Sequence, residues 1–126
     1  MPPNVKGVLA DCGYTSARAI IKKVIRDKKL PANVLYPFVR LGGWLYGGFD
    51  VEETPPIEAM KACRLPIIFY HGDNDAYVPC DMSRENYAAC VPEKQLVIVP
   101  RAGHGLSYML DGEGYIQALR EFTFEL

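Results

Sequence analysis

The sequence predicts a small α/β domain, in which a short parallel sheet of about three strands is flanked by helices. Three apolar segments indicate strands, at residues 5–10, 65–70 and 95–99, and segments with helical periodicity lie between and after them. The second apolar segment does not alternate with polar residues, as is typical of a parallel strand that is covered on both faces. Strands that alternate with helices favour right-handed crossovers.

The first strand is expected to lead into a helix. Thr15 or Ser16 can cap that helix, because a side-chain oxygen at this point accepts a hydrogen bond from the first helical turn. Residues 17–29 carry an apolar stripe with a period near 3.6 residues, which predicts an amphipathic helix. Pro31 is expected to end it.

Residues 31–56 are predicted to form an irregular, cap-like segment. They contain two Gly-Gly pairs and five aromatic side chains: Tyr36, Phe38, Trp44, Tyr46 and Phe49. This composition suits either the wall of a substrate pocket or a packed loop over the core, and both interpretations stay open. A short helix with proline in its first turn follows at residues 56–62.

The second half of the chain predicts two further helices. Residues 81–90 form a helix on which one stripe holds Ser83, Tyr87 and Cys90. Residues 112–122 form the last helix, whose apolar positions recur at helical spacing.

The composition restricts the classes of function. Nearly half of the 126 residues are apolar and the length allows at most one domain, residues 1–126. Fourteen basic and fifteen acidic residues leave a net charge of −1, and the basic residues between 22 and 29 indicate a solvated helix face. We therefore expect no nucleic-acid partner.

No apolar run approaches the ~20 residues that a membrane span requires. Residues 1–6 are too short and polar for a signal peptide, so we expect a cytoplasmic protein with no membrane partner. The four cysteines have no zinc-type spacing, which predicts free thiols, no metal and no cofactor.

Two strand ends carry the residues that can support chemistry. Asp75 follows the second strand, and His104 follows the third within Gly103-His104-Gly105. The carboxyl ends of parallel strands are where open α/β sheets place their sites, and the 29 residues between the two side chains fit one helix and one strand. Asp73 also lies in the acid loop, but we favour turn hydrogen bonds for Asp73 and the functional role for Asp75.

An acid and a histidine in this order are two thirds of a hydrolase triad. The nucleophile is missing, since the sequence contains no Gly-x-Ser-x-Gly turn. Cys12, on the turn after the first strand, is an alternative nucleophile, while Ser16 suits a helix cap and Ser107 a loop. His71, at the end of the second strand, is interpreted as structural.

These motifs, in this order, resemble the C-terminal half of an α/β-hydrolase, a serine hydrolase with esterase- and peptidase-like members. Residues 5–16 are similar to the family's sixth strand and the loop after it. Residues 48–59 are similar to the entry of the helix before strand seven. Residues 66–79 are similar to strand seven and the acid loop, and residues 97–107 to strand eight and the histidine loop.

The resemblance implies that Asp75 is the triad acid and His104 the general base of an enzyme that cleaves small-molecule esters or amides. Family members place five strands, the oxyanion-hole loop and the serine elbow before strand six. The chain therefore resembles a partial hydrolase that lacks the nucleophile, and alone it is expected to be inactive. The alternative is a non-catalytic interaction or scaffold domain derived from a hydrolase.

The same resemblance leaves residues 5–10 as an open sheet edge, because strand six pairs with strand five in the family. An open edge favours pairing with another chain. We therefore expect a homo-oligomer, joined through this edge or across residues 36–49.

Overall fold

The sheet has three parallel strands in the order β1-β2-β3, in a computed structural model that describes residues 4–91 and 93–124. The strands are β1 (Val8–Asp11), β2 (Ile67–Gly72) and β3 (Lys94–Val99). Val8 lies opposite Ile67, and Ile67 lies opposite Lys94. The predicted fold class, a short parallel sheet flanked by helices, is confirmed.

Within the part of the chain that the structure describes, six α-helices and one π-helical turn flank the sheet. They are α1 (Ala17–Asp27), α2 (Ala32–Gly42), the π-helical turn (Gly43–Gly47), α3 (Pro56–Ala62), α4 (Cys80–Ala89), α5 (Ser107–Leu110) and α6 (Gly112–Phe124). Of the two capping residues that the sequence leaves open, Thr15 and Ser16, it is the Ser16 hydroxyl that caps α1, by accepting the N–H of Ala19 at 3.1 Å. Proline opens α3, where its missing N–H is not needed.

β2 is the centre of the core. All six of its residues are buried, as expected for a strand that has a neighbour on each side and helices over both faces. On one face, Ile67 and Phe69 pack with Cys63 and Cys90. On the other face, Ile68 and Tyr70 pack with Phe122. Burying each large apolar side chain is worth about 1.5–3 kcal/mol, so this strand anchors the loops that leave it.

The prediction of an irregular segment at residues 31–56 is wrong for residues 32–47, which are helical. Pro37 lies inside α2, and proline with nearby glycines disfavours a helix locally. Tertiary contacts outweigh this cost: α2 packs on α1, and the buried Tyr36 donates a hydrogen bond from its hydroxyl to Glu52 at 2.6 Å. Helix α5 was also missing from the sequence prediction.

β1 lies at one edge of the sheet. The N–H of Val8 donates to the carbonyl of Pro66, directly before β2, and the N–H of Cys12 donates to the carbonyl of Tyr70 within β2. Because successive residues of a parallel strand point their backbone groups to opposite sides, Leu9 and Asp11 face the open edge.

No helix within residues 4–91 and 93–124 is long and apolar enough to span a membrane. The prediction that residues 1–6 are too short and polar for a signal peptide is untested, and residues 1–3 lie outside the described part of the chain.

Candidate active site

The acid loop follows β2 and holds Asp75 in a fixed position. The Asp75 side chain is buried, and its Oδ1 accepts hydrogen bonds from the N–H groups of Tyr77 and Val78, each at 2.9 Å. A carboxylate that accepts hydrogen bonds from the backbone N–H groups two and three residues later closes a tight turn. The turn leaves the other oxygen, Oδ2, for a partner outside the loop.

That partner is His104, on the loop after β3. Its Nδ1 lies 2.7 Å from Asp75 Oδ2, and its side chain is 43% exposed. An ionised carboxylate only accepts hydrogen bonds, so Nδ1 carries the hydrogen and donates it. The Nε2 lone pair is then available to take a proton from a bound molecule, which is the geometry of a general base held by an acid.

The two loops meet because β2 and β3 end side by side. The N–H of Asp73 donates to Val99 O at 3.2 Å, and the N–H of Asn74 donates to Ala102 O at 3.1 Å. Asp73 Oδ1 accepts the N–H of Arg101 at 2.6 Å. Asp73 therefore ties the loops together, while Asp75 lies against the histidine.

Hydrogen bonding keeps Asp75 ionised. Burial by itself acts to raise the pKa of this carboxyl group, but hydrogen bonds from the Val78 N–H, from His104 and from the Tyr77 N–H outweigh it and hold the pKa below its ordinary value of 3.8. A carboxylate that stays charged near neutral pH can stabilise the imidazolium that forms when His104 takes a proton.

His71 lies behind the acid. Its ring is fully buried, with Nδ1 2.6 Å from Ser83 Oγ on α4. Its Nε2 is 2.9 Å from Val78 O and 3.1 Å from Asp75 Oδ2. The interpretation of His71 as structural did not include a contact with the acid. Its place at the end of a buried strand, four residues before Asp75, was the available signal.

Cys12 does not fit the alternative of an activated thiol. It lies on the turn after β1 with a positive φ of 52°, and its Sγ accepts the N–H of Gly105 at 3.3 Å. Burial is the main reason that the pKa of this thiol is raised to about 11. Nucleophilic cysteines need a lowered pKa, because the thiolate is the reactive form.

Cys12, His71 and Asp75 also lie close enough to suggest a metal site, since one ligand atom from each lies within 4.8 Å of the others. The hydrogen bonds of His71 do not suit that role. Val78 O and the Asp75 carboxylate both accept only, so Nε2 of His71 carries the hydrogen and has no lone pair to offer.

No serine hydroxyl within the described residues is hydrogen-bonded to His104. Ser16 caps α1, Ser83 contacts His71, and Ser107 is fully buried at the start of α5. The described residues thus bring together an acid and a base without an attacking hydroxyl.

No family model matches the sequence. Among curated proteins, it is 25% identical over 115 residues to the uncharacterized protein YqkD of Bacillus subtilis, covering 90% of this chain and 38% of that protein. It is 32% identical over 92 residues to the uncharacterized protein Rv2307c of Mycobacterium tuberculosis, covering 73% of this chain and 31% of that protein. The chain thus spans about a third of these relatives' length.

Solved structures give the fold. An esterase of Pyrococcus furiosus matches with a TM-score of 0.67 and 19% identity over 98% of this chain and 46% of that one. The esterase domain of a Rhodothermus marinus protein matches with a TM-score of 0.63 and 18% identity over 94% of this chain and 51% of that one. The chain therefore has a partial α/β-hydrolase fold, equivalent to about half of these proteins.

Proposed function

We propose that this chain is the C-terminal portion of a serine hydrolase that acts on ester or amide bonds, in which Asp75 is the triad acid and His104 the general base. One observation carries the proposal: a buried carboxylate lies 2.7 Å from the Nδ1 of a half-exposed imidazole, on neighbouring loops at one edge of a parallel sheet. Acid and histidine in this chain order, on this fold, suit a hydrolase triad.

The chemistry needs a serine from outside this chain. As that serine oxygen attacks the substrate carbonyl, His104 Nε2 takes the hydroxyl proton and Asp75 stabilises the imidazolium. His104 then returns the proton to the leaving alcohol or amine as its bond to the acyl carbon breaks. A water molecule hydrolyses the resulting acyl-enzyme by the same route.

The fraction of the relatives' length that the chain covers supports a serine that lies outside these 126 residues. Because the chain spans about a third of its curated relatives, the serine and the oxyanion-hole donors would come from the rest of a longer hydrolase. The 126 residues alone should be inactive, since the oxyanion hole and nucleophile supply most of the rate. We propose a cytoplasmic location, without a cofactor.

The test begins with the genomic DNA upstream of the Met1 codon, where the proposal expects an in-frame Gly-x-Ser-x-Gly. The protein extended through that motif should hydrolyse p-nitrophenyl acetate. His104→Ala and Asp75→Asn should each lower kcat/KM by a factor on the order of 10⁴. Asp81→Asn, on the exposed first turn of α4, is the matched control.

Two results would contradict the proposal. One is an extended protein whose esterase activity survives both substitutions. The other is a 126-residue chain that turns over the ester well above buffer and loses this activity in His104→Ala.

A second candidate is a non-catalytic interaction domain that forms a homo-oligomer through β1. Two observations favour it: the open edge at Leu9 and Asp11, and the exposed apolar side chains on α2, such as Phe38. Light scattering after size exclusion should then show a dimer or larger species. Leu9→Pro, which removes an N–H that faces the open edge, should shift it to monomer, whereas the exposed Val24→Ser on α1 should not. A wild-type monomer would contradict this candidate.

A further inference from the structure

We infer that His71 is a positioning residue for the acid–histidine pair, holding the loop that carries Asp75 through a single hydrogen on Nε2 that binds Val78 O beside the carboxylate. This inference rests on the proposed function only where it concerns catalysis, because the contacts of His71 are all made within this chain. His71 and Ser83 are both 0% exposed, so neither can touch a substrate. Their arrangement with Asp75 looks like a Ser-His-Asp triad, but burial makes it a support for the acid.

The position of the hydrogen follows from the partners. Nε2 faces a carbonyl oxygen, Val78 O at 2.9 Å, and a carboxylate oxygen, Asp75 Oδ2 at 3.1 Å, which both accept only. Nε2 must therefore donate. On the other side of the ring, Ser83 Oγ is 2.6 Å from Nδ1 but 3.4 Å from Gly13 O, so the hydroxyl donates to Nδ1. Ser83 thus selects the tautomer with hydrogen on Nε2.

This hydrogen completes the restraint on the acid loop. Oδ1 of Asp75 is held by the N–H groups of Tyr77 and Val78, and Oδ2 is held by His104. The His71 Nε2–H binds Val78 O, one residue before Pro79, and so fixes the loop that carries the acid. Because Nε2 also lies 3.1 Å from Oδ2, its N–H dipole attracts that oxygen and favours the orientation in which Oδ2 lies against His104.

The hydrogen bonds of His71 connect elements that are far apart in the sequence. His71 is on β2 and Ser83 is on α4, so one buried ring connects the central strand and this helix to the acid loop. If His71 only filled space in the core, a side chain of similar volume without a hydrogen-bond donor could replace it. The inference therefore predicts that the donor, rather than the bulk, of His71 governs the contact between Asp75 and His104.

Nuclear magnetic resonance of the wild-type chain tests the tautomer directly, because the sequence has only two histidines. In long-range ¹H–¹⁵N spectra at neutral pH, the buried ring should carry hydrogen on Nε2, and that hydrogen should be protected from exchange with water. A His71 ring that carries hydrogen on Nδ1 alone would overturn the inference.

Two substitutions then separate donor from bulk. A glutamine amide can reproduce the Nε2 donor, whereas leucine fills similar space without a donor. We expect the His104 Nδ1–H to exchange with water about tenfold faster in His71→Leu, which is the worth of one lost hydrogen bond, and to stay close to wild type in His71→Gln. Phe122→Leu, a buried change in the core cluster on the other face of β2, controls for destabilisation alone and should leave this exchange rate unchanged.

A folded His71→Leu chain whose His104 exchange matches wild type would overturn the inference. If that variant does not fold, Ser83→Ala answers the same question, because it should release the His71 tautomer and speed the exchange at His104. An unchanged tautomer and exchange rate in Ser83→Ala would count against the inference. None of these measurements needs catalysis, so failure of the proposed esterase activity would leave their outcome readable.

Discussion

A methyl group at Gly72 should separate the two loops that carry Asp75 and His104. Gly72 is the last residue of β2 and pairs with Val99 at the end of β3. A Cβ built there would lie 2.5 Å from the carbonyl carbon of Ala102 and 2.8 Å from its Cβ, and it would overlap the Ala102 carbonyl oxygen. That oxygen accepts the N–H of Asn74, so the clash falls on the hydrogen bond that joins the acid loop to the histidine loop.

The loss of stability in Gly72→Ala depends on whether the atoms around the new methyl group can move away from it. Overpacking a core usually costs about 1–3 kcal/mol, because side chains shift to new rotamers. At Gly72 the obstacle is backbone of the fully buried Ala102, so we expect Gly72→Ala to lower the free energy of unfolding by about 3 kcal/mol. With a denaturant slope of about 1–3 kcal/mol/M, the urea midpoint should fall by about 1 M or more.

Urea unfolding followed by circular dichroism measures this loss, and exchange of the His104 Nδ1–H reports whether the loops have parted. Gly42→Ala is the matched control, since a Cβ there meets nothing within 4 Å and the residue is helical, so stability should rise by about 0.5–1 kcal/mol. A Gly72→Ala chain within about 0.5 kcal/mol of wild type, with His104 still protected, would refute the close approach of the two loops.

Three further outcomes are expected. The pKa of Asp75 is lowered on folding, so its ionised form stabilises the fold above the unfolded pKa, and this stability is lost as the pH falls below about 4. Acid unfolding should therefore be steeper in wild type than in Asp75→Asn, and equal slopes would contradict the hydrogen bonds assigned to this carboxylate. Because burial raises the pKa of Cys12 to about 11, iodoacetamide at pH 7 should label it far more slowly than a free thiol, as mass spectrometry of the folded chain can show, whereas rapid labelling would restore the thiol alternative. Pro37 lies inside α2, where proline costs about 3 kcal/mol relative to alanine in a helix interior, so Pro37→Ala should raise the urea midpoint; a lower midpoint would favour the irregular segment that the sequence predicts.

Local sequence patterns were sufficient to predict an element where its residues strongly favour one conformation. The short helix predicted at residues 56–62 matches α3, because a proline suits the first turn and no breaker follows within it. The stripe predicted on the helix after the acid loop agrees with α4 and its C-cap, on which Ser83 and Cys90 are buried. The predicted strand at residues 65–70 was displaced by two residues from β2, since a uniformly apolar run has no internal marker of where pairing starts.

Sequence patterns failed to predict helices whose formation depends on contacts between residues far apart in the chain. α2 forms despite Pro37 because α1 packs against it and Tyr36 reaches Glu52, sixteen residues later. Helix α5 is a single turn directly before α6, too short for a periodic signal.

The candidate site shows the same division. The sequence identified Asp75 and His104 because each follows an apolar run, and parallel strands bring their carboxyl ends to one edge of a sheet. It also favoured Asp75 over Asp73, but it could not show that His71 touches the acid.

By itself, then, the sequence determined the order of the strands and the edge of the sheet where Asp75 and His104 meet, because apolar runs and chain order are local properties. Only the tertiary structure decided which oxygen of Asp75 faces His104, that His71 lies against the same carboxylate, and that the Cys12 thiol is too buried to ionise readily. Hydrogen-bond direction and desolvation depend on groups far apart in the chain, and these come together only when the three strands pair.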